Sequence, residues 1–352
     1  MQIKRIALGG IIMTVIMFSG CSTTVQNLAI GEEKTLETGK TEQESVTEKD
    51  INMNEKESFN AESNINDVIH DSAFDDYGRL IFPVDMEIED NLKLKDVSSI
   101  LLWYSEVNTD KTVEIVNYMK NQAMNGEQIF YPIYSEEEMQ ADAGKKDTGL
   151  FFFWGNAGAK TTIINAGGGF VYVAGIHDSF PHALELSKKG YNAFALIYRP
   201  GAQTACEDLA RAIAFLHENA EQLQIDMTDY SLWGGSAGAR MAAWLGSYGT
   251  AYFGEKEYPA PAAVIMQYTG LSQVTGMEPP TYACVGTSDG IASYRSMENY
   301  ISQIQQNGTN ATIEVFKGLS HGFGLGEGTV AEGWIDHAIS FWEDNMNALD
   351  KR

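Results

Sequence analysis

From residue 160 onward the apolar positions fall into two alternating patterns. Continuous apolar runs occur in "TTIIN", "YNAFALIY", "YSLWGG", "AAVIMQ", "PTYACVG" and "ATIEVF". They predict strands buried on both faces. Between them lie stretches with apolar residues near a 3.6-residue spacing: "FPHALELSKKG", "ACEDLARAIAFLHENAEQL", "ARMAAWLGSYG", "SYRSMENYISQIQQNG" and "VAEGWIDHAISFWEDNM". These predict helices, several ending at a glycine. Strand and helix in alternation predict an α/β fold: a mostly parallel central sheet with helices on both faces. Right-handed crossovers then put the strands' C-terminal ends on one edge, and ligand sites form outside that edge. Before residue 160 the pattern is less regular. "DKTVEIVNYMKNQAMNG" predicts a helix, and "EQIFYPIYS" and "GLFFFWG" predict strands. "RLIFPVDMEI" and "SSILLWYS" fit either strands or a docking segment. The folded domain is expected over residues 71–352, with 146–352 as its core and 71–145 supplying first strands, a cap, or both.

The first seventy residues have a different character. Lys4 and Arg5 precede an apolar run over residues 6–18, followed by "FSGC". This is the layout of a secretory signal peptide over residues 1–20, too short to span a bilayer. Its end resembles a bacterial lipobox, with Phe18 where leucine is commoner, which implies lipidation of Cys21. The expected protein is exported, extracytoplasmic and held on the cell membrane surface by that lipid anchor alone. A plain signal peptide and an uncleaved anchor are the other readings. Residues 21–70 are polar and acidic, with few large apolar side chains, and read as a flexible tether. No internal repeat is visible.

Composition narrows the partners. The 352 residues carry 48 acidic and 24 basic side chains, a net charge of −24, which makes nucleic acid a poor partner. Three cysteines make no disulfide framework. Cys206 and Cys284 read as small buried residues, with a bridge between them left open by export. The histidines at 70, 182 and 217 are scattered, and neither H-E-x-x-H nor C-x-x-C occurs, so no metal is expected.

The candidate chemistry centres on "SLWGGSAGAR", where Gly234 and Gly238 flank Ser236. A serine between such glycines, after a strand and before a helix, is the setting of a nucleophile elbow. A Cβ at 234 or 238 would crowd the turn. On that fold the acid and the histidine follow the serine in order. Two histidines follow Ser236: His337 falls within a predicted helix, and His321 lies in "FKGLSHGFG", a loop past a strand. One aspartate lies between Ser236 and His321, Asp289 in "ACVGTSDG", also at a strand end. Glu255, Glu257, Glu278, Glu298 and Glu314 fall in loops, a helix or a strand interior. Asp289 also suits the Asp-Gly turn with Gly290. Attack on a carbonyl needs donors aimed at the developing oxyanion. "NAGGGF" offers Gly167 and Gly168, with Ala237 on the elbow. A phosphate loop is the rival reading, but neither G-x-G-x-x-G nor G-x-x-x-x-G-K-[ST] is present.

Taken in order, "NAGGGF", "KKGYNAFALIYRPG", "YSLWGGSAGARMAAWL", "PPTYACVGTSDG" and "VFKGLSHGFG" resemble the α/β-hydrolase fold. More narrowly they are similar to the esterases related to hormone-sensitive lipase and to bacterial acetyl and feruloyl esterases. The resemblance covers roughly residues 150–346. It implies a serine esterase without cofactor, with Ser236 as nucleophile, Asp289 as acid, His321 as base, and Gly167 and Gly168 at the oxyanion loop. It also implies a short acyl group such as acetyl, on a small molecule or a carbohydrate. The chain departs from the family at Ala166, where the loop usually carries a histidine that shapes it, and at "GIASYRS", where Val-Pro is frequent. A peptidase on the same fold, and a surface binding protein with a degenerate site, are the alternatives. His177 and Asp178 follow the glycine loop and read as either substrate-facing or helix-starting. Arg199 and Asp208 read as a structural ion pair, and Trp233 as core.

Overall fold

A computed structural model describes residues 58–346. The signal peptide, Cys21 and most of the tether lie outside these residues. Among the described residues eight strands form one sheet: β1 (Phe130–Pro132), β2 (Gly149–Phe153), β3 (Lys160–Asn165), β4 (Asn192–Ile197), β5 (Asp226–Gly235), β6 (Ala263–Gln267), β7 (Thr281–Gly286) and β8 (Ala311–Phe316). Their order across the sheet is β1-β2-β4-β3-β5-β6-β7-β8. β1 and β2 run antiparallel to their neighbours, and the other pairings are parallel. Every residue of β2, β4, β6 and β7 is buried, as uninterrupted apolar runs require.

The helices are α1 (Ile65–Ile69), α2 (Thr109–Met124), α3 (Glu136–Ala141), α4 (Gly175–Asp178), α5 (Phe180–Lys188), α6 (Ala202–Glu218), α7 (Ala237–Tyr248), α8 (Tyr294–Gln306) and α9 (Trp334–Asn345). Successive residues of a strand face opposite sides, and β5 shows how both faces are covered. Trp233 meets Trp334 of α9, with ring centroids 6.1 Å apart, while Gly234 backs onto Gly238 of α7. α6 packs beside α7 on that second face. On the first face the His182 ring of α5 lies 5.6 Å from Trp334.

His182 is fully enclosed there, and burial pushes its pKa down to about 3. Unfolding releases it to its ordinary value of 6.5, so below that pH the unfolded chain binds a proton the folded one does not. Stability therefore falls as pH drops from 6.5 toward 3, by about 1.4 kcal/mol per pH unit for such a group. His182→Gln is expected to flatten the loss of denaturant stability between pH 7 and pH 5. An unchanged difference between the two pH values would rule His182 out as its source.

Two expectations need correction. Of the two readings open for "RLIFPVDMEI" and "SSILLWYS", strands or a docking segment, the strands do not form: each stretch begins in the end of a 3-10 helix, over 72–81 and 94–100. The folded part also begins before residue 71. Ile65 and Val68 on α1 are buried, and the Asn117 side chain of α2 pairs with both backbone groups of Phe59. Two large apolar residues on a five-residue helix bury one side while the surrounding composition stays polar. Cys206 and Cys284 are both buried and unbridged.

Candidate active site

The site forms at the C-terminal ends of β3, β5, β6, β7 and β8. Strand register sets the height of each loop. Asn165 at the end of β3 pairs with Gly234, and Gly235 pairs with Gln267 of β6, which pairs in turn with Cys284 of β7. The segments beginning at residues 166, 236, 268, 287 and 317 therefore leave the sheet along one rim.

Ser236 occupies the turn from β5 to α7 with φ 51° and ψ −114°, a backbone conformation L side chains rarely adopt. Its N–H donates to the Gln267 carbonyl at 3.0 Å, which fixes the turn to β6. The flanking glycines are steric necessities. A Cβ on Gly234 would lie 2.3 Å from the Gly238 backbone, and one on Gly238 would lie 1.9 Å from the Asn165 carbonyl oxygen. α7 can start this close to β3 and β5 only because both positions lack a side chain.

His321 stands in the loop after β8. Its Nε2 lies 3.1 Å from Ser236 Oγ, and its Nδ1 lies 2.8 Å from Asp289 Oδ2. A carboxylate can only accept, so Nδ1 carries the proton and Nε2 is free to accept from the serine hydroxyl. The Asp289 side chain is fully buried. Its second oxygen accepts from the N–H groups of Ile291 and Ala292, at 2.8 and 2.6 Å. One carboxylate thus holds its own turn with one oxygen and the imidazole with the other. The His321 loop is also tied from outside. Ser105 Oγ donates to the His321 carbonyl at 2.7 Å, and His177 Nε2 donates to the Gly322 carbonyl at 2.9 Å. His177 is buried, which lowers its pKa, and it orients this loop rather than facing the cleft. Residues 101–107 lie against the site as well. The Trp103 ring sits over Gly169 and Tyr104 packs on Gly322, so the N-terminal region contributes a covering segment in addition to β1 and β2.

The glycine loop after β3 differs in one respect from the reading of the sequence. Gly167 is no oxyanion donor, because its N–H is taken by Asp178 Oδ2 at 2.7 Å. Asp178 is wholly buried. It accepts from the Tyr104 hydroxyl at 3.0 Å and from the Tyr268 hydroxyl as well. Burial raises its pKa, and these donors with neighbouring His177 pull it back. The Ala166 carbonyl accepts from Tyr198 Oη at 2.7 Å. Asp178 and Tyr198 therefore fix the loop where the sequence has no histidine to shape it. Gly168 follows with φ 124°, and a Cβ there would meet the Tyr172 carbonyl at 2.0 Å. No acceptor is found among the described residues for the Gly168 N–H. Ala237, as the first residue of a helix, has no intrahelical acceptor for its own. These two N–H groups remain for a ligand. Neither the burial of Asp178 nor its grip on Gly167 shows in the sequence; the signal was the Ala166 departure with an unassigned His-Asp pair eleven residues on.

Ser236 opens into a cleft of about 270 Å³ lined by Phe170, Ala237, Arg240, Tyr268, Thr269 and Ile291 among others. Arg199 and Asp208, the expected ion pair, make a two-pronged contact away from it, closed by a hydrogen bond from Tyr134 at 2.6 Å. Trp233 is buried in the core, its indole N–H donating to Ser231.

The BD-FAE family model matches residues 155–281, a stretch that includes the glycine loop and Ser236. No curated protein matches the chain. Among solved structures, the acetyl ester-xyloside bifunctional hydrolase from Caldicellulosiruptor lactoaceticus superposes with a TM-score of 0.54 at 19% identity, covering 61% of this chain and 95% of that one. Esterase 2 of Thermogutta terrifontis, in its propionate-bound form, gives 0.52 at 18% identity over 61% and 93%. The same esterase phosphorylated by paraoxon gives 0.51 at 17% over 62% and 96%. With the strand order and pairing directions described above, these superpositions establish that the chain has the α/β-hydrolase fold.

Proposed function

We propose that the protein is a serine hydrolase of carboxylic esters carrying a short acyl group. The observation that carries the reading is the unbroken chain from Ser236 Oγ through the His321 imidazole to Asp289, at 3.1 and 2.8 Å. His321 takes the hydroxyl proton as Ser236 attacks the ester carbonyl. Asp289 stabilises the imidazolium that forms. The carbonyl oxygen becomes an oxyanion facing the N–H groups of Gly168 and Ala237. Collapse of the tetrahedral species transfers the proton from His321 to the leaving alcohol and leaves an acyl-serine. Water, deprotonated by the same imidazole, then releases the acid.

A short acyl group such as acetyl, on a small molecule or a carbohydrate, is what the family resemblance implies, and the bifunctional acetyl ester-xyloside hydrolase among the similar structures is in keeping with it. A fluorophosphonate probe is expected to label Ser236, located by peptide mass. Turnover of p-nitrophenyl acetate is expected to exceed that of the octanoate ester. An unlabelled, inert protein would remove the hydrolase reading, and faster octanoate turnover would remove the short-acyl reading alone. The proposal extends to location: lipidation at Cys21 tethers the enzyme to the outer face of the cell membrane. Cys21→Ser should move it from the membrane fraction to the soluble one, and a variant still sedimenting with membranes would contradict this.

A further inference from the structure

Arg240 lies on α7 one turn beyond Ser236, its backbone N–H donating to the Ser236 carbonyl at 3.3 Å. Its side chain lines the same cleft as the serine, near Gly270, where an added Cβ would sit 3.6 Å from Nη2. Among the described residues it makes no ion pair and no side-chain hydrogen bond. The other half-buried arginines are engaged by carboxylates: Arg199 by Asp208 and Asp142, Arg211 by Glu218 and Glu255. The exposed Arg79 also pairs, with Asp147. In a chain with twice as many acidic as basic side chains, a carboxylate partner is easily supplied. Leaving a permanently charged, five-donor guanidinium half-buried and unpaired beside the serine gives up that partner at the place where a ligand would bring one.

From this we infer that Arg240 recognises a carboxylate on the substrate, so that the enzyme acts on esters bearing a negative charge a few bonds from the scissile carbonyl. The inference rests on the hydrolase reading above. Residues one helical turn apart are separated by about 5.4 Å along the axis. A carboxylate on a short linker therefore reaches the guanidinium while its ester carbonyl lies against Ser236. The planar fork suits a carboxylate held by two parallel hydrogen bonds. The net charge of −24 would otherwise disfavour an anionic substrate, so a local cation is what such a substrate needs. Phe170 and Ile291 line the same cleft and offer apolar contact to the linker between ester and carboxylate.

The test compares esters that differ in one charge. p-Nitrophenyl hemiglutarate against p-nitrophenyl valerate places the carboxylate in the acyl part. 4-Acetoxybenzoate against 4-acetoxybenzamide places it in the alcohol part. The full-length protein is expected to favour the charged member of one pair in kcat/KM by roughly tenfold or more, the scale of a hydrogen bond to a charged group. Arg240→Gln should bring that ratio near one, and Arg240→Lys should restore part of it. A ratio near one in both pairs, or a ratio that Arg240→Gln leaves unaltered, overturns the inference. A binding arm separates it from the hydrolase reading. In Ser236→Ala protein, monomethyl glutarate should bind more tightly than methyl valerate by calorimetry, and adding Arg240→Gln should abolish the difference. Arg240-dependent binding without any ester turnover would keep the carboxylate site and reject the hydrolase. Turnover of neutral esters without charge-selective binding would do the reverse.

Discussion

Ser236→Ala is expected to lower kcat on p-nitrophenyl acetate by about a millionfold, His321→Ala by about as much, and the double variant no further. On the proposed mechanism the three side chains act as one unit. Without Ser236 there is no nucleophile for His321 to activate, and without His321 the hydroxyl keeps its proton, so removing the second partner costs nothing more. Asp289→Asn should fall less far, by about ten thousandfold, because the amide can present a donor to Nδ1 and hold the wrong tautomer. Its loop should survive, since the amide oxygen can still accept from Ile291 and Ala292. Measured kcat for the four variants, with circular dichroism to show that each is folded, checks the set. A Ser236→Ala protein retaining a hundredth of the activity would mean that the reaction proceeds elsewhere. A double variant much worse than either single one would instead mean that the two residues contribute independently rather than as one unit.

What the sequence made legible follows from where periodicity and chain order carry information. Beyond residue 160 each element has enough apolar residues in one period to identify itself, and loop position could then be read as position on the sheet rim. Ser236, Asp289 and His321 are far apart along the chain; strand ends on one edge bring them together. The N-terminal region lacks that redundancy. In "SSILLWYS", Ile100 and Leu101 are buried while Leu102 and Trp103 are exposed, and a short apolar run cannot announce which of its members face inward. α1 went unread because Ile65 and Val68 alone bury its inner side. The loop chemistry failed for a different reason. A glycine N–H looks equally available in any sequence, and only folding reveals that Asp178 reaches back to occupy the one at Gly167. Arg240 is similar: its type is legible, but its lack of a partner is a tertiary property.

Asp178→Ala is expected to lower kcat by about a hundred- to a thousandfold with a smaller change in KM, the size of effect seen when an oxyanion donor is lost. Asp178 touches neither Ser236 nor the cleft. Its influence runs through Gly167, whose N–H it holds at 2.7 Å and whose placement sets the direction of the next N–H, that of Gly168. Truncation also leaves the Tyr104 and Tyr268 hydroxyls and the Gly167 N–H without their buried acceptor, at about 1–3 kcal/mol for each unsatisfied group. The melting temperature should fall too, so activity alone does not separate a positioning role from general loosening. Asp178→Asn supplies the distinction. Its amide oxygen can still accept from Gly167 while its NH₂ donates to a tyrosine oxygen turned to receive it, so kcat should recover with the shape of the loop. A second test approaches from the opposite side. The residue before the nucleophile, Gly235, is a glycine because a Cβ there would lie 2.5 Å from both Asp178 oxygens. Gly235→Ala should therefore displace the carboxylate and reproduce the loss seen in Asp178→Ala, although the two changes are on different loops. If Asp178→Ala stayed within threefold of the unmodified enzyme, the loop would be holding its shape without the carboxylate. The absence of a histidine at Ala166 would then need some other compensation than this one.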